Sequence, residues 1–357
     1  MLEKGGRLSK LPEVDLCFTE LYELLVAPLK ENLMLAGIEI GVFDQLVEPK
    51  MAEDIADAIR IPAAISRFFL DGLVACDLLS KKKGRYRNTR ISQAFLVKDS
   101  PTYLGQFLYS YSRYLHSADK HLSDMVAQAM KERTESPGTA TWRSEQEQDL
   151  VLDMANYQLA GIAQLLAGIV SGLPEFRTMQ KMLDLGGGPG LIGIAIVDSH
   201  PDIKGVIFDL PGVIKIADDA IRKHGLDARM TVMSGDFDRD TFGSGYDLVL
   251  ASAVLHISRD MDSLIDKIHN ALNPGGIFMS FHEGLTDERT KPAIHVLGYL
   301  PMVMTGRDVG MDKGLVSGSM RRAGFEIIES QTLDTPVGPM DLDIARKERI
   351  VLGDPMP

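Results

Sequence analysis

Apolar residues recur at mixed three- and four-residue spacing through the first third of the chain. Phe18 to Leu46 carries Leu, Ile and Val in that rhythm, which predicts helices with a wide buried face. A compact pattern follows from Met51 to Thr89. Ala52 to Ala58 reads as a short amphipathic helix and Ile61-Pro62 as a turn. Ala63 to Leu78 reads as a second helix with Ile65, Phe69, Leu70 and Leu73 on one side. Leu79-Ser80 then leads through Lys81 to Arg85 into Tyr86 to Thr89, a hairpin with a glycine at its tip. Two short helices, a turn and such a hairpin predict a winged helix-turn-helix. Pro101 to Lys131 is again helical, with an aromatic series at Tyr103, Phe107, Tyr109, Tyr111 and Tyr114 that suits core packing. Glu132 to Thr139 is a polar connection broken by Pro137-Gly138, and a long helix runs from about Ser144 to Leu173.

From Lys181 the rhythm changes. Short apolar runs at Lys181–Leu185, Gly205–Leu210, Met230–Met233, Tyr246–Ala251, Ile277–Phe281 and Phe325–Ser330 alternate with helical patterns. That alternation predicts an open, mainly parallel α/β sheet with helices on both faces. Such sheets bind ligands beyond the carboxyl ends of their strands, where the strand order switches. Candidate chemistry should therefore follow the strands directly.

Bulk properties narrow the partners. The net charge of −12 makes nucleic acid a poor default partner, because a phosphate backbone repels an acidic chain. In the second helix of the winged motif only Arg67 offers a base, beside Asp71 and Asp77; the basic cluster Lys81–Arg85 is a solvated turn. Cys17 and Cys76 are too few and too far apart for a disulfide framework or a metal site, so a reducing, cytoplasmic setting and no metal are expected. Met1–Asp15 has no apolar core of a signal peptide. The longest apolar stretch, Leu159–Leu173, falls short of the ~20 residues a span requires, so no membrane partner is expected.

The first strand of the α/β region ends in Asp184-Leu185-Gly186-Gly187-Gly188-Pro189-Gly190. Gly188 to Gly193 formally matches G-x-G-x-x-G, the dinucleotide fingerprint. Three features point elsewhere: Asp184 two positions before the first glycine, glycines alternating at 186, 188 and 190, and acids after the next two strands. A dinucleotide needs a helix N-terminus for its pyrophosphate. S-adenosylmethionine has no phosphate, and an acidic loop suits its amino group and sulfonium. The second strand ends in Phe208-Asp209-Leu210-Pro211, where Asp209 is spaced to accept both ribose hydroxyls. The third ends in Gly235-Asp236-Phe237, where Asp236 faces the adenine amino group and Phe237 covers the ring. Each acid alone reads equally as a helix cap; three after successive strands read as a donor site.

These segments, with Asn273-Pro274-Gly275-Gly276, resemble the class I small-molecule O-methyltransferases that carry a winged-helix dimerisation domain, such as the plant caffeate, acetylserotonin and bacterial polyketide enzymes. The resemblance spans about Phe18 to Arg346. It implies a Rossmann-like methyltransferase domain with a mainly parallel seven-stranded sheet over about 101–357, its helical connector at about 101–178 and its core from about 179. A mostly helical winged-helix domain over 1–100 precedes it and mediates a homodimer. It implies S-adenosylmethionine as donor, S-adenosylhomocysteine as product, and a small aromatic or polyketide-like hydroxyl as acceptor. By the same resemblance His256 is the general base, Glu283 its orienting acid, and Ser252 a further donor contact. Met154, Tyr157 and Met302 would line the acceptor pocket. Two departures bear on the acceptor: the family's His-Asp-Trp reads His256-Ile257-Ser258, and its second glutamate is absent, with Asp308 and Asp312 nearby. They leave open N-, C- or S-methylation or other chemistry of the same donor. A DNA-binding regulator is the reading from a different class.

Overall fold

A computed structural model describes residues 19–117, 122, 153–304 and 308–349. The expectations for Met1–Asp15, Cys17, Glu132–Thr139 and the start of the long helix at Ser144 lie outside these residues. The chain divides into two compact units, residues 1–105 and 106–357.

In the first unit α1 (Thr19–Glu39) carries Pro28 within it, and α2 (Val42–Gln45) follows a left-handed turn at Gly41. The winged motif takes shape as β1 (Lys50–Met51), α3 (Ala52–Ile59), α4 (Ala63–Ala75), β2 (Leu79–Lys82) and β3 (Arg85–Asn88), with strand order β1-β3-β2. Ile55, Leu70, Leu73, Leu79 and Tyr86 form its centre. Two of the bases weighed for a nucleic-acid face are tied to acids: Arg67 to Glu53 at 2.7 Å and Lys81 to Asp71 at 2.6 Å. α5 (Arg90–Phe95) closes the unit, capped by the Thr89 hydroxyl.

The second unit opens with α6 (Gly105–Leu115), its first residue being the last of the first unit. Residues 153–157 are helical and continue into a π-helical turn, Gln158–Ile162, and then α7 (Ala163–Ser171). The expected long helix is thus interrupted, at a Gly161 whose φ of 133° no ordinary helix holds. The sheet follows: β4 (Lys181–Leu185), α8 (Leu191–Asp198), β5 (Lys204–Asp209), α9 (Pro211–Lys223), β6 (Met230–Ser234), β7 (Tyr246–Ser252), α10 (Met261–Ala271), β8 (Leu272–Glu283), α11 (Ala293–Met304), α12 (Leu315–Arg322), β9 (Ile327–Thr335) and β10 (Gly338–Arg346). Its order is β6-β5-β4-β7-β8-β10-β9, parallel from β6 to β8 and antiparallel at β10 and β9. Strand alternation feeds two cores. Met182, Leu248, Leu250 and Met279 pack on the α7–α8 side, while Leu183, Leu185, Val249 and Phe278 pack on the α10–α12 side. β10 is a strand the apolar runs do not announce. Its Asp341 and Asp343 are buried, bonded to the Thr332 hydroxyl at 2.6 Å and to the Ser330 hydroxyl. No helix among the described residues is long and apolar enough to cross a membrane.

Candidate active site at the strand switch point

β4 pairs with β5 on one side and β7 on the other, so the chain changes direction across the sheet there. The glycine loop leaves β4 at that crevice. Gly186, Gly188 and Gly190 take φ of 65°, 58° and 79°, a region closed to most side chains. Two of them are also crowded: a Cβ on Gly186 would stand 2.3 Å from Val254 Cγ2, and one on Gly190 2.3 Å from Ile207 Cδ1. Gly187 lies outside that region but sits over the Asp184 carboxyl, 2.8 Å from a Cβ there. Gly188 differs, because its Cβ would meet nothing within 4 Å. The loop is braced from below and open above Gly188.

Asp184 is the brace. It is 1% exposed, and its Oδ2 accepts from the Gly193 amide at 3.0 Å in the first turn of α8. Its Oδ1 is buried without a partner among the described residues. Burial pushes its pKa up to about 7, opposed by the Gly193 bond and assisted by the Asp209 charge. The carboxyl therefore lies under the glycines and shapes the cradle from within.

Asp209 closes the cradle's rim. Its Oδ2 accepts from the Gly188 amide at 2.8 Å and its Oδ1 from the Leu210 amide at 2.7 Å. Each oxygen keeps a further lone pair for a ligand hydroxyl. Burial raises its pKa, and the two amide bonds oppose the rise. Leu210 is half-buried, in extended backbone at the N-cap of α9. Asp236 is also half-buried; its Oδ1 accepts from the Asp238 amide at 3.0 Å, and Arg239 and Arg259 stand 3.7 and 3.8 Å from its Oδ2. Phe237 packs one side against the core. Ser252 ends β7, half-buried. Residues at the ends of β4, β5, β6 and β7 thus share one edge, and the open space over Gly188 with a carboxylate beside it fits an adenosyl ligand with a cationic tail.

Sequence reading missed one member of this cradle. Gln158, on the π-helical turn and 7% exposed, accepts from the Leu191 amide at 3.1 Å and donates to the Gly187 carbonyl at 3.5 Å. The only hint in sequence is Gly161, which permits the turn.

The residues expected on the acceptor side lie around Glu283 at the end of β8. Ala253 follows β7 with a φ of 50°, unusual for alanine, and its amide donates to the Phe281 carbonyl at 2.7 Å. That turn presents His256 on a short 3₁₀ segment, Leu255–Ile257. The His256 and Tyr299 rings lie 6.3 Å apart, tilted by 42°. Glu283 charge raises the pKa of Tyr111, Tyr157 and Tyr299, after burial, the larger cause in each. Tyr157 stacks on Phe107 at 5.4 Å, Phe107 on Tyr111 at 5.6 Å, and Tyr111 on Tyr114 at 5.9 Å. The Tyr114 hydroxyl donates to the Gly298 carbonyl at 3.1 Å, tying α6 to α11. Met154 and Met302 are half-buried on the helices that supply Tyr157 and Tyr299.

Asp308 and Asp312 are engaged elsewhere. Arg289 grips Asp308 at 2.8 and 3.1 Å through two nitrogens and Asp312 at 3.1 Å through the third. Both carboxylates are more than half exposed. Arg307 lies outside the described residues. Among those residues no group of three or more His, Cys, Asp or Glu could hold a metal ion.

Comparison with known proteins adds a second line. Residues 120–321 match the O-methyltransferase domain, and residues 22–98 match the O-methyltransferase dimerisation domain. The chain is 26% identical over 330 residues to the N,N-dimethyltransferase OxyT of Streptomyces rimosus, covering 89% of this chain and 93% of that one. It is 26% identical to the 3-hydroxy-5-methyl-1-naphthoate 3-O-methyltransferase of Streptomyces sahachiroi, over 84% of this chain and 87% of that one. Human N-acetylserotonin methyltransferase, solved with S-adenosylmethionine, shares the fold at a TM-score of 0.73 and 24% identity, covering 95% of this chain and all of that one.

Proposed function

Since the chain belongs to the O-methyltransferase family and is an S-adenosylmethionine-dependent methyltransferase, we propose that it methylates a hydroxyl of a small aromatic or polyketide-like acceptor, with His256 as general base. The reading is supported by the His256 ring lying 6.3 Å from that of Tyr299, by Tyr157 and Tyr299 both feeling the Glu283 charge, and by Tyr157 preceding Gln158, which bonds the glycine loop.

The donor is held by the cradle. Asp209 accepts from its ribose, Asp236 and Phe237 flank its adenine, and Ser252 and the backbone of Gly186, Gly187 and Gly188 line its path. Bound there, S-adenosylmethionine supplies an electrophilic methyl group. Asp184 and Gln158 act one layer down, holding the loop in shape. The aromatic wall sets the acceptor's plane, and Met154, Tyr157 and Met302 complete it. A phenol of pKa about 10 is a weak nucleophile at neutral pH. His256 removes its proton as the oxygen attacks, while Glu283 at the end of the neighbouring strand favours the imidazolium that forms. The rest of the acceleration comes from holding oxygen and methyl in line. Incubation with S-adenosylmethionine and hydroxylated fused-ring aromatics is expected to add one methylene mass on oxygen. A second reading, transfer to an amine, is favoured by the N,N-dimethyltransferase relative; products methylated only on nitrogen would select it.

The working unit is proposed to be a homodimer built on the N-terminal unit, located in the cytoplasm, with no nucleic-acid partner. Helix α1 exposes Leu21, Leu24, Leu25 and Leu29, each more than 60% accessible, where the other large apolar residues among those described are mostly buried. The double variant Leu24→Glu/Leu25→Glu is expected to sediment as a monomer of 39.2 kDa, where the wild-type chain sediments at twice that mass. A wild-type monomer would remove the dimer.

A further inference from the structure

Ser258 stands at the tryptophan position of the family's His-Asp-Trp, and it is half-buried. Its hydroxyl works in both directions. It donates to Asp238 Oδ1 at 2.8 Å and accepts from the amide of Asp260, the residue that caps α10, at 3.3 Å. Asp238 is committed to the same turn. Its side chain is 13% exposed, and its Oδ2 accepts from the Arg259 amide at 3.2 Å, with the Arg259 Nε 3.8 Å away. A hydroxyl bonded to a carboxylate makes one of the stronger and more directional hydrogen bonds in a protein.

These bonds join two segments with different tasks. The Asp238 amide donates at 3.0 Å to Oδ1 of Asp236, the acid read as the adenine contact. The Ser258 amide donates to the Leu255 carbonyl at 3.1 Å, and the Ile257 amide to the Val254 carbonyl at 3.2 Å, which closes the turn that carries His256. Three hydrogen bonds in series therefore run from Asp236 to that turn. Lys267 on α10 holds the acid loop, donating to the Phe237 carbonyl at 2.5 Å and to the Asp240 carbonyl at 2.8 Å. Sheet pairing does not bring the segments together. β5 and β4 lie between β6 and β7, so the loops that meet leave strands about 14 Å apart.

We propose that Asp238 and Ser258 are positioning residues that tie the base to the donor. Adenine seated on Asp236 fixes Asp238, and Asp238 fixes the His256 turn through the Ser258 hydroxyl. Donor binding thus sets the imidazole in place before the acceptor oxygen attacks. Transfer rewards such alignment, since a misplacement of about 1 Å can cost about 100-fold in rate. The proposal rests on the reading of Asp236 as the adenine contact and of His256 as the base.

The test uses the full chain with isotope-labelled histidine and adenosine as the probe, which carries the adenine and no methionine tail. The readout is the His256 imidazole NMR signal, identified by its loss in His256→Ala. Saturating adenosine is expected to shift that signal in the wild-type chain. In Ser258→Ala the shift should be lost while calorimetry still records adenosine binding. Ser258→Thr keeps the hydroxyl and should restore it. A residue that only stabilised the fold would lower Tm and leave the link between adenosine and the imidazole intact. No shift in the adenosine-bound wild type, the same shift in Ser258→Ala, or a loss that Ser258→Thr does not reverse would overturn the proposal and leave the adenine reading standing. Asp236→Ala should weaken adenosine binding about 10-fold, the worth of one hydrogen bond to a charged group. Undiminished binding in that variant would instead overturn the adenine reading, and the proposal with it.

Discussion

Replacement of His256 by Ala should lower kcat by about 10²–10⁴-fold, the range spanned by a well-placed general base. The affinity for S-adenosylhomocysteine should stay as in the wild type. The argument is positional. The donor cradle is built at the ends of β4, β5 and β6 and braced by Asp184, Asp209 and Gln158. None of those bonds involves His256, which sits past the end of β7 on a turn set by Ala253. Deleting the imidazole therefore leaves those bonds alone and removes the proposed general base. The effect should shrink as pH approaches the acceptor's own pKa of about 10, because the ionised acceptor no longer needs a base. Steady-state kinetics across pH, with calorimetry for S-adenosylhomocysteine, measures both halves. Turnover unchanged at pH 7 would remove His256 from the chemistry, and a matching loss of donor affinity would place it in the cradle instead.

The second large effect belongs to the glycine loop, and here two neighbouring substitutions should part company. Gly188→Ala puts a methyl group into space that is open within 4 Å in the structure, at a φ of 58°. The strain of the left-handed region costs roughly 1–2 kcal/mol, so the chain should remain folded with a modestly lower Tm. The methyl group enters the volume assigned to the donor, and overpacking of about 1–3 kcal/mol weakens S-adenosylhomocysteine binding by about 10-fold or more. Gly186→Ala meets the protein itself: its Cβ would lie 2.3 Å from Cγ2 of Val254, a stiff β-branched side chain. That variant should lose stability first, adding a clash of similar size to the strain. Thermal melts and calorimetry on the pair separate the two. Donor affinity retained in Gly188→Ala would move the donor off this loop.

How much of this was legible beforehand depends on whether local or distant residues carry the feature. The strand runs at 181–185, 230–234 and 246–252 announce themselves because apolar stretches bounded by polar turns have no other stable local form. The acids expected to serve the donor follow them directly, so spacing alone brings Asp184, Asp209 and Asp236 to one edge. β10 does not announce itself, since Asp341 and Asp343 interrupt its pattern. They are tolerated because the Thr332 and Ser330 hydroxyls of β9 satisfy them, a pairing that only the sheet supplies. Gln158 likewise has no sequence signature, because its partners lie 29 and 33 residues away.

The sequence by itself therefore determined the architecture and the donor. A parallel sheet, a glycine turn at its switch point and acids after successive strands are written in local order, and local order is what periodicity reports. Tertiary structure alone decided what each side chain does there. It buried Asp184 under the glycine loop, because the first turn of α8 folds over it and the Gly193 amide bonds its carboxyl. It paired Asp308 and Asp312 with Arg289. It also gathered Tyr111, Tyr157 and Tyr299, spread over 188 residues of chain, around one carboxylate. Burial and contact between distant segments create those roles, and no spacing along the chain encodes them.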